Sequence, residues 1–275
     1  MKLPDRLKTI SACFISIIFL FVSSCKPGER SSTQESVPGE DDQPKEEIIA
    51  EITGYPLPTS FEITNMLNEA GAPYILSISN PASNADKYFT QAEKALNLGV
   101  YGADLSYAST YMMKQETILY LNATKQLTDE MEISSVFNTD YASRVENNLE
   151  NRDSLISIIS DSFVDTYKYL TNNNKDKLAI LVMTGSWIEG LFITIQIAIT
   201  AEDNDQILAI ISHQESSLKK LLEILDPVAT DPDAAEIVTG LIELEGHFDT
   251  IEGEITDQLL EAMSVSIENL RNKVI

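Results

Sequence analysis

The residue in this sequence best placed to do chemistry is Glu189. It sits in the middle of a stretch, Leu178 to Ala201, that is apolar on nearly every side: Leu178, Ile180, Leu181, Val182, Met183, Trp187, Ile188, Leu191, Phe192, Ile193, Ile195 and Ile197. A carboxyl in such surroundings must be paired, hydrogen-bonded, protonated or turned toward a cavity. One reading groups Glu189 with Trp187 and the tyrosines Tyr101, Tyr107 and Tyr111 around a small-ligand pocket between helices. The other is structural: Glu189 reaches solvent or pairs with one of the chain's few Lys or Arg.

Other chemistries leave fewer traces. Only two histidines occur, His213 and His247. Glu243 lies four residues before His247 and so shares its helix face. A carboxylate-bridged di-metal bundle needs two Glu-x-x-His units and two further glutamates, and this chain has no Glu-x-x-His. Both histidines read as surface residues. There is no His-Glu-x-x-His, Gly-x-Ser-x-Gly or phosphate loop. Asp203-Asn204-Asp205 lacks the glycine and distal glutamate of a calcium loop and reads as a cap between helices. The expectation is no metal and no cofactor. Acidic residues are too abundant for spacing alone to pick out a catalytic carboxylate pair.

The elements that must position these groups are helical. No proline occurs between Pro81 and Pro227, and neither glycine nor proline occurs from Ala103 to Thr184. A β protein of that length would need turn residues repeatedly. Leu155, Ile159, Phe163, Tyr167 and Leu170 form one helical stripe, and Leu259, Leu260, Met263, Ile267 and Leu270 another. Thr59 with Glu62 fits a capping box. Asp231-Pro232-Asp233 fits a helix start, and Asp226-Pro227 a helix end. The pattern predicts helices near 60–70, 84–98, 101–127, 138–149, 151–172, 176–201, 204–225, 232–252 and 254–273. Links this short imply antiparallel helical hairpins, as a bundle or as a right-handed array like that of tetratricopeptide repeats. The segment Ala92 to Tyr101 resembles the first helix of such a repeat, although its glycine-to-tyrosine spacing is one short and no 34-residue period recurs.

The fold class expected is therefore all-α, arranged around a central apolar helix, 176–201. That helix is long enough to span a bilayer. Glu189 at its middle would cost several kcal/mol there, which favours a buried position inside the protein. Gly185, Ser186 and Gly190 would let neighbouring helices approach closely.

The chain's beginning carries a second kind of information. Lys2, Arg6 and Lys8 precede an uncharged apolar run from Ile10 to Val22, which leads into Val22-Ser23-Ser24-Cys25. The order of charged start, apolar middle, small residues and cysteine resembles the signal peptide and lipobox of bacterial lipoproteins. The resemblance covers residues 1–25. It implies cleavage before Cys25, acylation of that cysteine, and attachment to a membrane of the bacterial cell envelope. Lys26 stands where lipoproteins retained at the inner membrane carry an aspartate, so the outer membrane is the implied destination. Cys13 would leave with the signal peptide and Cys25 would carry lipid, so no thiol chemistry remains.

Residues 26–47 hold one large apolar residue, Val37. Such a segment cannot offset its chain entropy by burial and reads as a disordered acidic tether. The expected organisation is a signal peptide at 1–24, lipidated cysteine and tether at 25–54, and one helical domain at 55–275. Removing residues 1–24 takes away three basic and one acidic residue. That leaves 16 basic against 42 acidic, a net charge of −26. Such a surface repels nucleic acid and anionic headgroups and favours cationic partners. The expectation is a lipid-anchored, non-enzymatic binding or adaptor domain for a protein partner or small ligand. The alternatives are a helical hydrolase or lyase using Glu189 in a cleft, and a structural spacer of an envelope assembly.

Overall fold

The computed structural model describes residues 60–133, 139–202 and 204–275. The signal peptide, Cys25, the tether and Thr59 of the expected capping box lie outside them. All secondary structure among the described residues is helical. In chain order the α-helices are α1 (Ser60–Glu69), α2 (Gln91–Thr110), α3 (Lys114–Glu130), α4 (Thr139–Asn147), α5 (Arg152–Asn172), α6 (Asp176–Thr200), α7 (Asp205–Leu225), α8 (Ala235–Phe248) and α9 (Asp257–Asn272). Two short 3₁₀ helices, Ala82–Lys87 and Asp226–Val228, complete the set.

The central apolar helix is α6. By length and composition it could cross a membrane, but 89% of its most apolar window is buried inside the protein. It packs against α1, α2, α5, α7 and α9, with α2 its principal neighbour. The reason lies in two glycines. A Cβ on Gly99 would fall 2.0 Å from the Val182 carbonyl oxygen, and one on Gly185 would fall 1.9 Å from that of Leu96. The two backbones therefore touch directly, and any side chain at either position would push them apart. Gly190 is different: its Cβ would find only ordinary contacts with α1, the nearest atom being Ile63 Cδ1 at 3.5 Å.

Helix boundaries differ most from the sequence pattern in one region. The expected helices 84–98 and 101–127 are instead a 3₁₀ turn, α2 across residues 91–110, and α3 from Lys114. Thr90 and Glu93 form a full capping box: the Thr90 hydroxyl accepts from Glu93 N at 3.1 Å, and the Glu93 carboxylate accepts from Thr90 N at 2.9 Å. The break after Thr110 has neither glycine nor proline. Met112 takes a left-handed conformation (φ 58°), and Met113 N donates back to the Ala108 carbonyl at 2.8 Å. Glu132 and Asn174 end α3 and α5 in the same way. Reversals made this way leave no turn residue to read in the sequence.

The acids around Pro232 are also used differently from the expectation. Lys177, at the start of α6, donates to both Asp231 and Asp233 at 2.7 Å. Residues 231–234 form a turn, and α8 begins at Ala235. Asp226-Pro227 does end α7.

One long segment has no α-helix. Residues 72–90 run as a strap across α2, with the 3₁₀ turn inside it. The strap is held by its polar contacts to α2 and by burial of Tyr88 and Ala85.

The glycine contacts give a prediction with two signs. Gly99→Ala and Gly185→Ala should each destabilise the domain by about 1–3 kcal/mol or more through overpacking. Gly246→Ala, in α8 with nothing within 4 Å of its Cβ, should stabilise it by about 1 kcal/mol. Urea unfolding of the three variants reads both signs. Equal effects at all three positions would show that the α2–α6 approach is not tight.

Candidate functional site

Glu189 lies in a buried polar layer built by four parts of the chain: α2, α6, α9 and the strap. It is fully buried. Arg271, near the end of α9, reaches it with two bonds, Nε to Oε2 at 2.6 Å and Nη2 to Oε1 at 2.8 Å. This planar two-point pairing is the strongest form of carboxylate recognition that a side chain offers. The same guanidinium lies 4.2 Å from the centre of the Phe192 ring and donates to the Ile78 carbonyl of the strap at 3.2 Å. The structural alternative for Glu189, pairing with an arginine, is thus what the geometry displays.

A second carboxyl shares the layer. Asp104, on α2, is fully buried. Its Oδ2 accepts from the Asn80 backbone N–H of the strap at 3.1 Å. Its Oδ1 is buried with no donor against it. Burial, and then the Glu189 charge, push the Asp104 carboxyl well above the ordinary carboxylate range, against the opposing pull of Arg271. Burial raises Glu189 too, but hydrogen bonds and charge from Arg271 draw it back. Among the described residues, Asp104 has no cation bonded to it and is the carboxyl pushed further toward its neutral form.

The three tyrosines picked out from the sequence all hold the strap. The Tyr101 hydroxyl donates to the Pro81 carbonyl at 2.9 Å and that of Tyr111 to the Ala72 carbonyl at 2.9 Å. The Tyr107 hydroxyl accepts from Ile75 N at 2.8 Å. Tyr74, from the strap, stacks on Tyr107 with centroids 4.5 Å apart. Tyr101 also neighbours Tyr88 of the strap at 6.4 Å and Tyr120 of α3 at 6.3 Å. Desolvation raises every one of these phenols, Tyr107 and Tyr120 to about 12, so they stay neutral at ordinary pH. Trp187 is buried and its indole N–H has no acceptor. Two residues from Glu189, it projects from a different side of α6.

Among the described residues the structure thus brings Glu189 and Tyr101 into one polar region, with Asp104 between α2 and α6. All three are fully buried. A cavity lies elsewhere, among Ser60, Gly102, Ser106, Tyr141, Ser162 and Phe163, with about 30 Å³ of room, enough for about two waters. Two open grooves of about 520 Å³ flank the α8–α9 link; one is lined by Asp205, His213, Glu254 and Asp257, the other by Glu252, Glu254 and Gln258. No three of His, Cys, Asp and Glu among the described residues come together as a metal-ligand set.

Asp104 and Arg271 escaped the sequence reading. Asp104 falls between Tyr101 and Tyr107 at helical spacing, so the stripe was visible but its acidic member was not singled out. Arg271 is one of only five arginines in a chain of net charge −24. The scarcity of possible partners for Glu189 was the available signal. No protein-family model, curated protein or solved structure matches this chain.

The pairing has a measurable weight. Arg271→Ala leaves two buried carboxyls without a cation and should cost about 3–5 kcal/mol in urea unfolding. Arg271→Lys keeps the charge but loses the two-point geometry and should fall between. A loss below about 0.5 kcal/mol for Arg271→Ala, the level of ordinary surface substitutions, would contradict this account.

Proposed function

We propose that this protein is a lipid-anchored binding or adaptor domain of the bacterial cell envelope, acting through its acidic surface on a cationic partner. The lipobox-like Val22-Ser23-Ser24-Cys25 supports the anchor. The observation that carries the binding role is the distribution of charge. Among the described residues, Arg271 with Glu189 and Asp104 forms a buried cluster that faces inward and holds the fold together. The lysines at 94, 114, 125, 177, 219 and 220 each lie against at least one acid. The chain's large acidic excess is left to the solvent-facing side, where it attracts cationic surfaces and repels nucleic acid and anionic lipid.

The carboxylate-enzyme alternative is less well supported. A general acid or base needs to come within hydrogen-bond reach of its substrate. Both Glu189 oxygens are taken by Arg271, and the residue has no exposed surface. A spacer role would need nothing from the charge distribution and leaves it unexplained.

Two measurements test the proposal. Labelled palmitate should enter the wild-type chain in cells, and Cys25→Ser should leave an unlipidated precursor or a soluble product. Absence of label from the wild type overturns the anchor. Amine-reactive cross-linking in intact envelopes should yield a discrete adduct that is lost in about 1 M salt, where charge screening is nearly complete. An adduct indifferent to salt overturns the cationic partner.

A further inference from the structure

The buried layer contains two carboxyls and one guanidinium. The titratable groups facing Asp104 are Glu189 on α6, Arg271 on α9, Tyr101 and Tyr107 on α2, Tyr120 and beyond it Glu116 on α3, and Tyr74 and Tyr88 on the strap. The tyrosines are neutral, so Arg271 is the only cation among these described neighbours. Its Nε and one terminal nitrogen are already committed to Glu189. A proton on Asp104 brings the layer to neutrality and supplies the missing donor between the two carboxyls. The same two residues hold the strap: Asp104 accepts from Asn80 N, and Arg271 donates to the Ile78 carbonyl.

We propose that the single proton shared by Asp104 and Glu189 is a latch: with it the strap at residues 72–90 stays closed on α2, and without it the strap lifts and uncovers the hydroxyls of Tyr101, Tyr107 and Tyr111. This goes beyond the proposed binding function and does not depend on it. Loss of the proton leaves two adjacent carboxylates against one cation in a region without water. Releasing the strap admits solvent and relieves the repulsion. Local opening of this kind is cheaper than unfolding the domain. The apolar burial lost on opening is that of Ala72, Ala85 and Tyr88, with the partly buried Tyr74, Ile75 and Ile78; Leu76 and Phe89 are already exposed.

The direction of the pH effect follows from the proton count. Once open to solvent, Asp104 returns to an ordinary carboxyl value near 4. The closed state holds a proton that the open state releases. Closure is therefore at full strength below the ordinary carboxyl range near 4, weakens by about tenfold per pH unit from there up to the raised value of Asp104, and levels off above it.

Hydrogen exchange of the Ile75 and Asn80 amides in the full chain, corrected for intrinsic rates, tests this. Wild-type protection at both should fall by about tenfold per pH unit above the ordinary carboxyl range and level off above the raised value of Asp104, while amides of α7 and α8 keep theirs. Asp104→Asn cannot titrate, yet its amide can donate to Glu189 and its carbonyl can accept from Asn80. It should hold the strap with no such slope. The same slope in both proteins, or an equal slope in α7 and α8, overturns the latch. Should Asp104→Asn not fold, the wild type alone decides by infrared spectroscopy with isotope-labelled aspartate. A protonated carboxyl band present at neutral pH supports the latch; no such band overturns it.

Discussion

The fold depends on the direct contact of two backbones, α2 and α6, at Gly99 and Gly185. Helices packed through ordinary side chains stand about 8–10 Å apart, and these two approach more closely because neither has a Cβ at the crossing. Gly99 sits against Val182 and Ser186, and Gly185 against Leu96. The same two closely packed helices carry Asp104 and Glu189 into one buried layer. The carboxyl pair is thus a consequence of the glycine crossing, and Arg271 a consequence of the carboxyl pair. Moving any one of these without the others would leave a charge buried alone, the costliest defect a protein core can hold.

Around that contact the molecule is divided by function. Many of the interior polar groups are engaged with one another and with the strap. Threonine and serine hydroxyls on buried helix faces return to their own helix carbonyls, as Thr184 does to Ile180 and Thr194 to Gly190. The acids that remain are outside. Such a division leaves the interior to hold shape and the excess charge to the solvent-facing side.

Much of this was legible in the sequence. The absence of turn residues and the 3.6-residue stripes are sufficient for an all-helical domain, and the apolar run with Glu189 at its centre identifies the core helix and its one awkward group. The break between α2 and α3 was not legible, because Met112 adopts its left-handed turn without the glycine that usually announces one. The start of α2 was: Thr90-x-x-Glu93 is a capping box in plain view, overlooked because helical periodicity was read through it. Glu189's need for a partner was visible, but which partner was not. Asp104, Glu189 and Arg271 are brought together by tertiary packing, which no local pattern encodes.

The pairing of Glu189 with Arg271 also says something about timing. The two are separated by 82 positions along the chain, and Asp104 comes earlier still. As the polypeptide is made, both acids are present long before the cation that neutralises them. Until α9 arrives, the α2–α6 core carries carboxyls that resist burial, and the half-made domain is kept from setting. Completion of this core therefore waits for a helix made long after the two that it fastens.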